Sequence, residues 1–210
     1  MGSAANPAAR PFDDVRDLAM QPVLSDSDAP ERVLEALRGM GRERDFGKLG
    51  DAAAWLARHQ RRFPPRIENA TLAIFAGSHG LANKGVTLSS DNDTRAHVQA
   101  LREGKAPLSA IATQNNANIR VFELAIDKPT PCISEAAAMS EQECAATIAY
   151  GFEALEGSPD CLAVAVTGAG IGTAAAAVAS ALYGGQADYW VRPGPGTPSE
   201  MSTARVELVN

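Results

Sequence analysis

Three short runs rich in apolar residues constrain this chain more than any other feature: Thr71 to Ala76 (TLAIFA), Ile119 to Ile126 (IRVFELAI) and Cys161 to Val166 (CLAVAV). A strand with one wet face alternates polar and apolar residues. A continuous apolar run of this length reads instead as a strand buried on both faces, the usual condition of a parallel sheet. Parallel neighbours need long crossovers, and the intervals supply them. The first holds helical segments over Asp93 to Glu103 and over Leu108 to Gln114, the latter opened by Pro107. The second starts at Ser140, spaced from Glu143 as a capping box, and runs to about Leu155. An Ala-rich segment, Ala174 to Leu182, follows the last run. Right-handed crossovers then predict an α/β protein with an open, doubly wound, mainly parallel sheet of the Rossmann-like three-layer kind.

Two helices are predicted ahead of the sheet. Pro30 to Arg42 carries Val33, Leu34 and Leu37 at helical spacing, and Gly47 to Arg62 repeats the pattern with Leu49, Ala53, Leu56 and Ala57. Arg58, His59, Arg61 and Arg62 crowd the end of the second, where cations complement the helix dipole, and Pro64 and Pro65 stop it. Met1 to Arg10, built of small residues and Pro, has no core signal. The expected organisation is a flexible tail over 1–28 and a single domain over 29–210. After Gly184 the stretch through Pro193, Gly194, Pro195, Gly196 and Pro198 reads as a loop with no packed-core signal.

Composition narrows the function classes. The chain has 210 residues, 25 acidic against 19 basic side chains and a net charge of −6, so no basic surplus is available to neutralise a phosphate backbone and nucleic acid is not an expected partner. Cys132, Cys144 and Cys161 are odd in number and show no CxxC spacing, which suggests neither a disulfide framework nor a zinc site. No apolar run is long enough to span a bilayer and the N-terminus lacks a signal-peptide pattern, so no membrane association and a cytoplasmic location are expected.

Ligands of open α/β sheets bind beyond the carboxyl ends of the strands. Two segments sit there. In Gly77-Ser78-His79-Gly80, two glycines let the backbone approach a ligand and the imidazole can donate a hydrogen bond or move a proton. In Thr167-Gly168-Ala169-Gly170-Ile171-Gly172-Thr173, glycines at a helix start are expected to leave the amides of Ile171 to Ala174 open to a phosphate, with the Thr173 hydroxyl as a further donor. Thr173 breaks the GxGxxG dinucleotide pattern, which weighs against a dinucleotide-dependent oxidoreductase, and no Walker A sequence is present.

These residues also carry a resemblance. Phe75-Ala76-Gly77-Ser78-His79-Gly80, Gly85-Val86-Thr87, Thr94, the AAAMS of Ala136 to Ser140, and Gly170-Ile171-Gly172 before an alanine run, in that order, resemble the nicotinate-nucleotide:dimethylbenzimidazole phosphoribosyltransferase family of cobamide assembly. Gly47-Lys48-Leu49-Gly50 and Trp190 to Thr197 extend the likeness over nearly all of residues 30–210. It implies an enzyme, usually a homodimer, that transfers phosphoribosyl from nicotinate mononucleotide to dimethylbenzimidazole or a similar base. Such chemistry is positioning plus proton removal and needs no metal or redox cofactor. The implied phosphate and nucleotide residues are Gly168, Gly170, Ile171, Gly172, Thr173 and Arg205, the last replacing a family lysine. The implied base pocket comprises Gly77, Ser78, His79, Thr87 and Thr94. Family members have a glutamate where Gly168 stands, an aspartate where Ser78 stands, and a general-base glutamate beyond position 210. Glu135 and His79 are the catalytic candidates within this chain. The accompanying expectation is a nucleotide binder with feeble turnover, in the extreme a noncatalytic paralogue, unless a companion polypeptide supplies the carboxylate.

Overall fold

The computed structural model describes residues 11–42, 46–194 and 196–210. Helices α1 (Asp13–Ala19), α2 (Ala29–Gly39) and α3 (Lys48–Gln60) precede strand β1 (Ala70–Gly77). Helices α4 (Asp91–Arg102) and α5 (Pro107–Gln114) lead to β2 (Ala117–Leu124), and α6 (Glu141–Gly151) with a following 3-10 turn leads to β3 (Cys161–Thr167). The chain closes with α7 (Ile171–Tyr183), α8 (Ala187–Trp190) and α9 (Ser199–Val209). All three strands are parallel in the order β2-β1-β3, with Ala70 opposite both Ala117 and Cys161. The expected α/β fold is the observed one.

The central strand shows why its sequence is apolar without interruption. Ala73 and Phe75 face one layer, packed with Phe122, Leu162 and Ala154; Phe75 stacks on Phe122 at 4.9 Å, and Tyr150 of α6 meets Phe122 edge-on. Leu72, Ile74 and Ala76 face the other, against Val98 and Leu101 of α4, Leu108 of α5, and Ile126. Ala73, Ile74 and Ala76 are buried and Leu72 and Phe75 partly so, and this burial on both faces is what drives the sheet to form between helical layers.

Two expectations fail at β3 and β2. Cys161 to Val166 is not buried on both faces: Val164 and Val166 are 63% and 58% exposed. By register they share a face with Ala73 and Phe75, and no described helix covers that face at this edge. The β2 run stops at Leu124 rather than Ile126, because Ala125 takes a left-handed conformation (φ 48°) that turns the chain, while Ile126 stays buried beneath α4.

Two more concern the ends. Within 1–28, expected as tail, Asp13–Ala19 forms α1 with none of its residues buried; Met1 to Arg10 lies outside the described residues. The stretch after Gly184 is not a coreless loop. Ala187, Val191 and Met201 are buried, and Ala204 and Leu208 of α9 pack with Ala174 over Leu81, Val86 and Cys132. This second small core lies beneath the loops rather than in the sheet. Pro195 is outside the described residues. Helices α2 and α3 bury Ala29, Val33 and Ala57 against each other and are tied to the sheet's lower edge through Gln60, whose amide donates to the Asp160 carbonyl at 3.2 Å.

Candidate functional site

An order of β2-β1-β3 means that the chain leaves β1 to one side to form β2 and then crosses back past β1 to form β3 on the other side. The crevice at such a reversal opens between the carboxyl ends of β1 and β3. The segments after those two strands are the glycine-flanked histidine and the glycine-rich loop, and they touch. A Cβ on Gly168 would lie 2.1 Å from the Gly77 carbonyl oxygen, so this backbone admits no side chain there. The glutamate that the resemblance implies at position 168 would not fit this backbone.

Each loop is fixed from outside. Ser78 is buried and its hydroxyl donates to the Ile126 carbonyl at 2.7 Å; Gly80 N–H donates to Thr130 O at 2.9 Å, and a Cβ on Gly80 would sit 2.4 Å from that oxygen. Behind the second loop, buried Thr94 accepts from Ala169 N–H at 3.1 Å and donates to the Ser90 carbonyl. Ser90 itself caps α4 in a capping box with Asp93.

Two clefts result. The first, about 320 Å³, is lined by Gly168, Gly170 to Thr173, Val86, Thr87, Trp190, Val191, Arg192 and Arg205. It combines the start of the 13-residue α7 with two guanidinium groups, a setting suited to a phosphate. Arg205 is held in place by its Nε–H, which donates to the Val86 carbonyl at 2.7 Å. The expectation of four open amides does not hold. Ile171 N–H donates to Gly168 O, and Thr173 and Ala174 N–H both donate to Gly170 O, leaving Gly172 N–H as the amide of this turn without an acceptor among the described residues. Gly172 also faces open space where a Cβ would project.

The second cleft, about 800 Å³, has an apolar wall of Phe75, Val166, Met139 and Tyr150, with Gly77, Ser78, His79, Ala137, Ala138 and Ser140 around it. The exposed face of β3 is thus partly its floor. Ile171 lines both clefts, so the two adjoin at the first residue of α7. Glu123 and Glu143 reach this cleft but are engaged: Glu123 pairs with Arg102 at 2.6 Å, and Glu143 accepts from Ser140 N–H and Oγ, which hold its carboxyl below the usual range. Burial pushes the His79 imidazole below its ordinary pKa, with the Asp91 charge acting in the opposite sense.

The sequence-derived candidates are thereby distributed. Gly168, Gly170, Ile171, Gly172, Thr173 and Arg205 converge on the first cleft, and Gly77, Ser78 and His79 on the second. Thr87 lines the first cleft rather than the second, and Thr94 lies behind the glycine loop, lining neither. Glu135 lines neither cleft; it is an exposed residue ion-paired with Lys84, whose ammonium this contact holds above its usual pKa. Sequence reasoning missed Arg192, Trp190, Glu123 and Tyr150. Arg192 carried the one usable signal, a cation inside a Gly/Pro stretch following an alanine helix. No group of three or more His, Cys, Asp or Glu residues among the described residues could hold a metal ion. No described helix is long and apolar enough to cross a membrane.

Comparison with known proteins gives one consistent answer. The chain is 40% identical over 209 residues to nicotinate-nucleotide–dimethylbenzimidazole phosphoribosyltransferase of Rhizobium etli (strain CIAT 652), and 38% identical over 208 residues to the protein of that name from Sinorhizobium fredii (strain NBRC 101917 / NGR234). In each case 95% of this chain matches 59% of the relative, so the chain spans about three fifths of the length of the curated relatives it matches. The crystal structure of the enzyme of that name from Thermus thermophilus shares the fold, with a TM-score of 0.74 at 23% identity over 85% of this chain and 60% of that one. With the phosphoribosyltransferase family profile matching residues 25–210, the chain belongs to the nicotinate-nucleotide–dimethylbenzimidazole phosphoribosyltransferase family.

Proposed function

We propose that this chain transfers phosphoribosyl from nicotinate mononucleotide to dimethylbenzimidazole or a similar base, as a pentosyltransferase of cobamide lower-ligand assembly. The observation that carries the reading is the junction of the two clefts at Ile171: a small cleft with two arginines at a helix start beside a larger apolar one. The nucleotide phosphate sits against Gly172 N–H, Thr173, Arg192 and Arg205. The flat base stacks in the second cleft among Phe75, Met139 and Val166, with its reacting nitrogen directed toward the junction. There the nitrogen forms a bond to the ribose anomeric carbon while the bond to nicotinate breaks and its electron pair leaves with the pyridine nitrogen. Holding both reactants across one residue supplies most of the acceleration. Among the described residues, His79 is the group offered for proton removal from the base, since Glu123 and Glu143 are engaged and Glu135 lines neither cleft.

The names of the relatives favour turnover over a noncatalytic paralogue. A cytoplasmic location and a homodimer belong to the same reading, and light scattering of the purified chain tests the second. The central experiment incubates purified chain with nicotinate mononucleotide and dimethylbenzimidazole and follows both products by chromatography. Stoichiometric nicotinate and α-ribazole phosphate are expected. A folded protein that binds the mononucleotide and releases no nicotinate overturns the proposal.

A further inference from the structure

Nε2 of His79 and Oδ1 of Asp91 are both buried without a hydrogen-bond partner among the described residues. The two atoms make no hydrogen bond to each other in this structure; each is costly to bury unsatisfied, and a side-chain rotation that paired the donor with the acceptor would remove both costs. Asp91 is the one charged group found to act on the His79 ring. It occupies the first position of α4, a favourable place for an acidic residue, and lies outside the Ser90–Asp93 capping box that starts the helix. The ring meanwhile lines the second cleft, and Nδ1 is not among the buried, unpartnered atoms.

We infer that Asp91 is a positioning residue for His79: its carboxylate keeps the ring proton on buried Nε2, so that the Nδ1 lone pair is presented to the second cleft. This rests on the transferase reading only for what the lone pair does there. In that reading the proton on the second ring nitrogen of the base passes to Nδ1 once the first nitrogen has bonded to the anomeric carbon. The ring becomes an imidazolium favoured by the Asp91 charge, then returns the proton to water. Glu123, Lys128, Glu143 and Tyr150 also line this cleft, but none is found to act on the ring. Without the Asp91 charge, the proton moves to the accessible nitrogen and the lone pair turns inward, the wrong tautomer for a base facing the cleft.

Nitrogen-15 spectra of histidine-labelled full chain test this directly, with His79→Gln identifying the His79 signals apart from those of His59 and His97. The wild-type ring is expected to be neutral at pH 7.5 with its proton on Nε2. In Asp91→Asn the proton should shift toward Nδ1 and the titration midpoint should fall, because the charge that opposes burial is gone. In the same variant kcat should drop about tenfold with KM for nicotinate mononucleotide unchanged, and Asp91→Glu should recover part of the loss. Circular dichroism checks that the variants keep their helices. An unchanged tautomer and midpoint in Asp91→Asn, or an Nδ1 proton in the wild type, overturns the inference. An Asp91-dependent tautomer in a chain that shows no turnover supports the positioning role while removing the transferase reading.

Discussion

The two clefts share a wall and differ in almost everything else. The first is small, cationic and built partly from backbone: Gly168, Gly170 and Gly172 matter for what they lack, and Arg205 is locked by the Val86 carbonyl. The second is larger and walled largely by side chains, from β1, β2, β3 and α6 among others, with both of its glutamates engaged in a pair or a cap. A site made of backbone fails through steric intrusion, whereas a site made of side chains fails by losing chemistry while keeping its shape. Breaking the clefts one at a time separates these modes.

The largest effect should come from Gly168→Ala, which places a methyl group 2.1 Å from the Gly77 carbonyl and forces apart the ends of β1 and β3. A loss on the order of 3 kcal/mol is expected in denaturant unfolding, and both clefts should fail together. Next is Gly172→Val. Its side chain enters open space, so the melting temperature should barely change, while calorimetry should show affinity for nicotinate mononucleotide reduced at least tenfold. Unchanged affinity would mean that the phosphate lies elsewhere. His79→Ala should weaken binding of the base more than stability, leaving mononucleotide affinity near wild type; a large fall in melting temperature with intact binding would make the residue structural. The smallest effect concerns pH. The His79 pKa is depressed on folding, so its contribution to stability is complete above the unfolded value of 6.5 and is lost as the pH falls below it. His79→Gln should flatten that part of the stability profile, and a slope identical to wild type would assign it to other groups.

How far the sequence disclosed this arrangement depends on who supplies the neighbours. β1 was legible because its own alternate residues meet both helical layers, Ala73 and Phe75 on one side and Leu72, Ile74 and Ala76 on the other. β3 has the same apolar character, yet Val164 and Val166 face no described helix, and nothing local to a run of six residues says whether a neighbour exists. Both loops were recognisable from glycine placement and strand order. Hydrogen-bond use was not: the amides of Ile171, Thr173 and Ala174 are consumed by carbonyls of their own loop, which spacing alone does not reveal. Helix α9 escaped notice because SEMSTARVELV has only scattered apolar residues. It is held by Met201, Ala204 and Leu208 meeting a core that belongs to distant segments.

The hydrogen bond from Arg205 to Val86 joins residues 119 positions apart, and the one from Ala169 to Thr94 joins residues 75 apart. Contacts of such span close only after long loops have been ordered, and they come late in folding. A ribosome that has released all three strands into solution still carries a chain without Arg205 in its cleft, since that residue lies in the last of these helices. On the proposed reading, the first cleft is therefore completed after the sheet exists, when the residues of α9 have been added. A nascent chain at that point has its scaffold and not yet the last wall of that cleft.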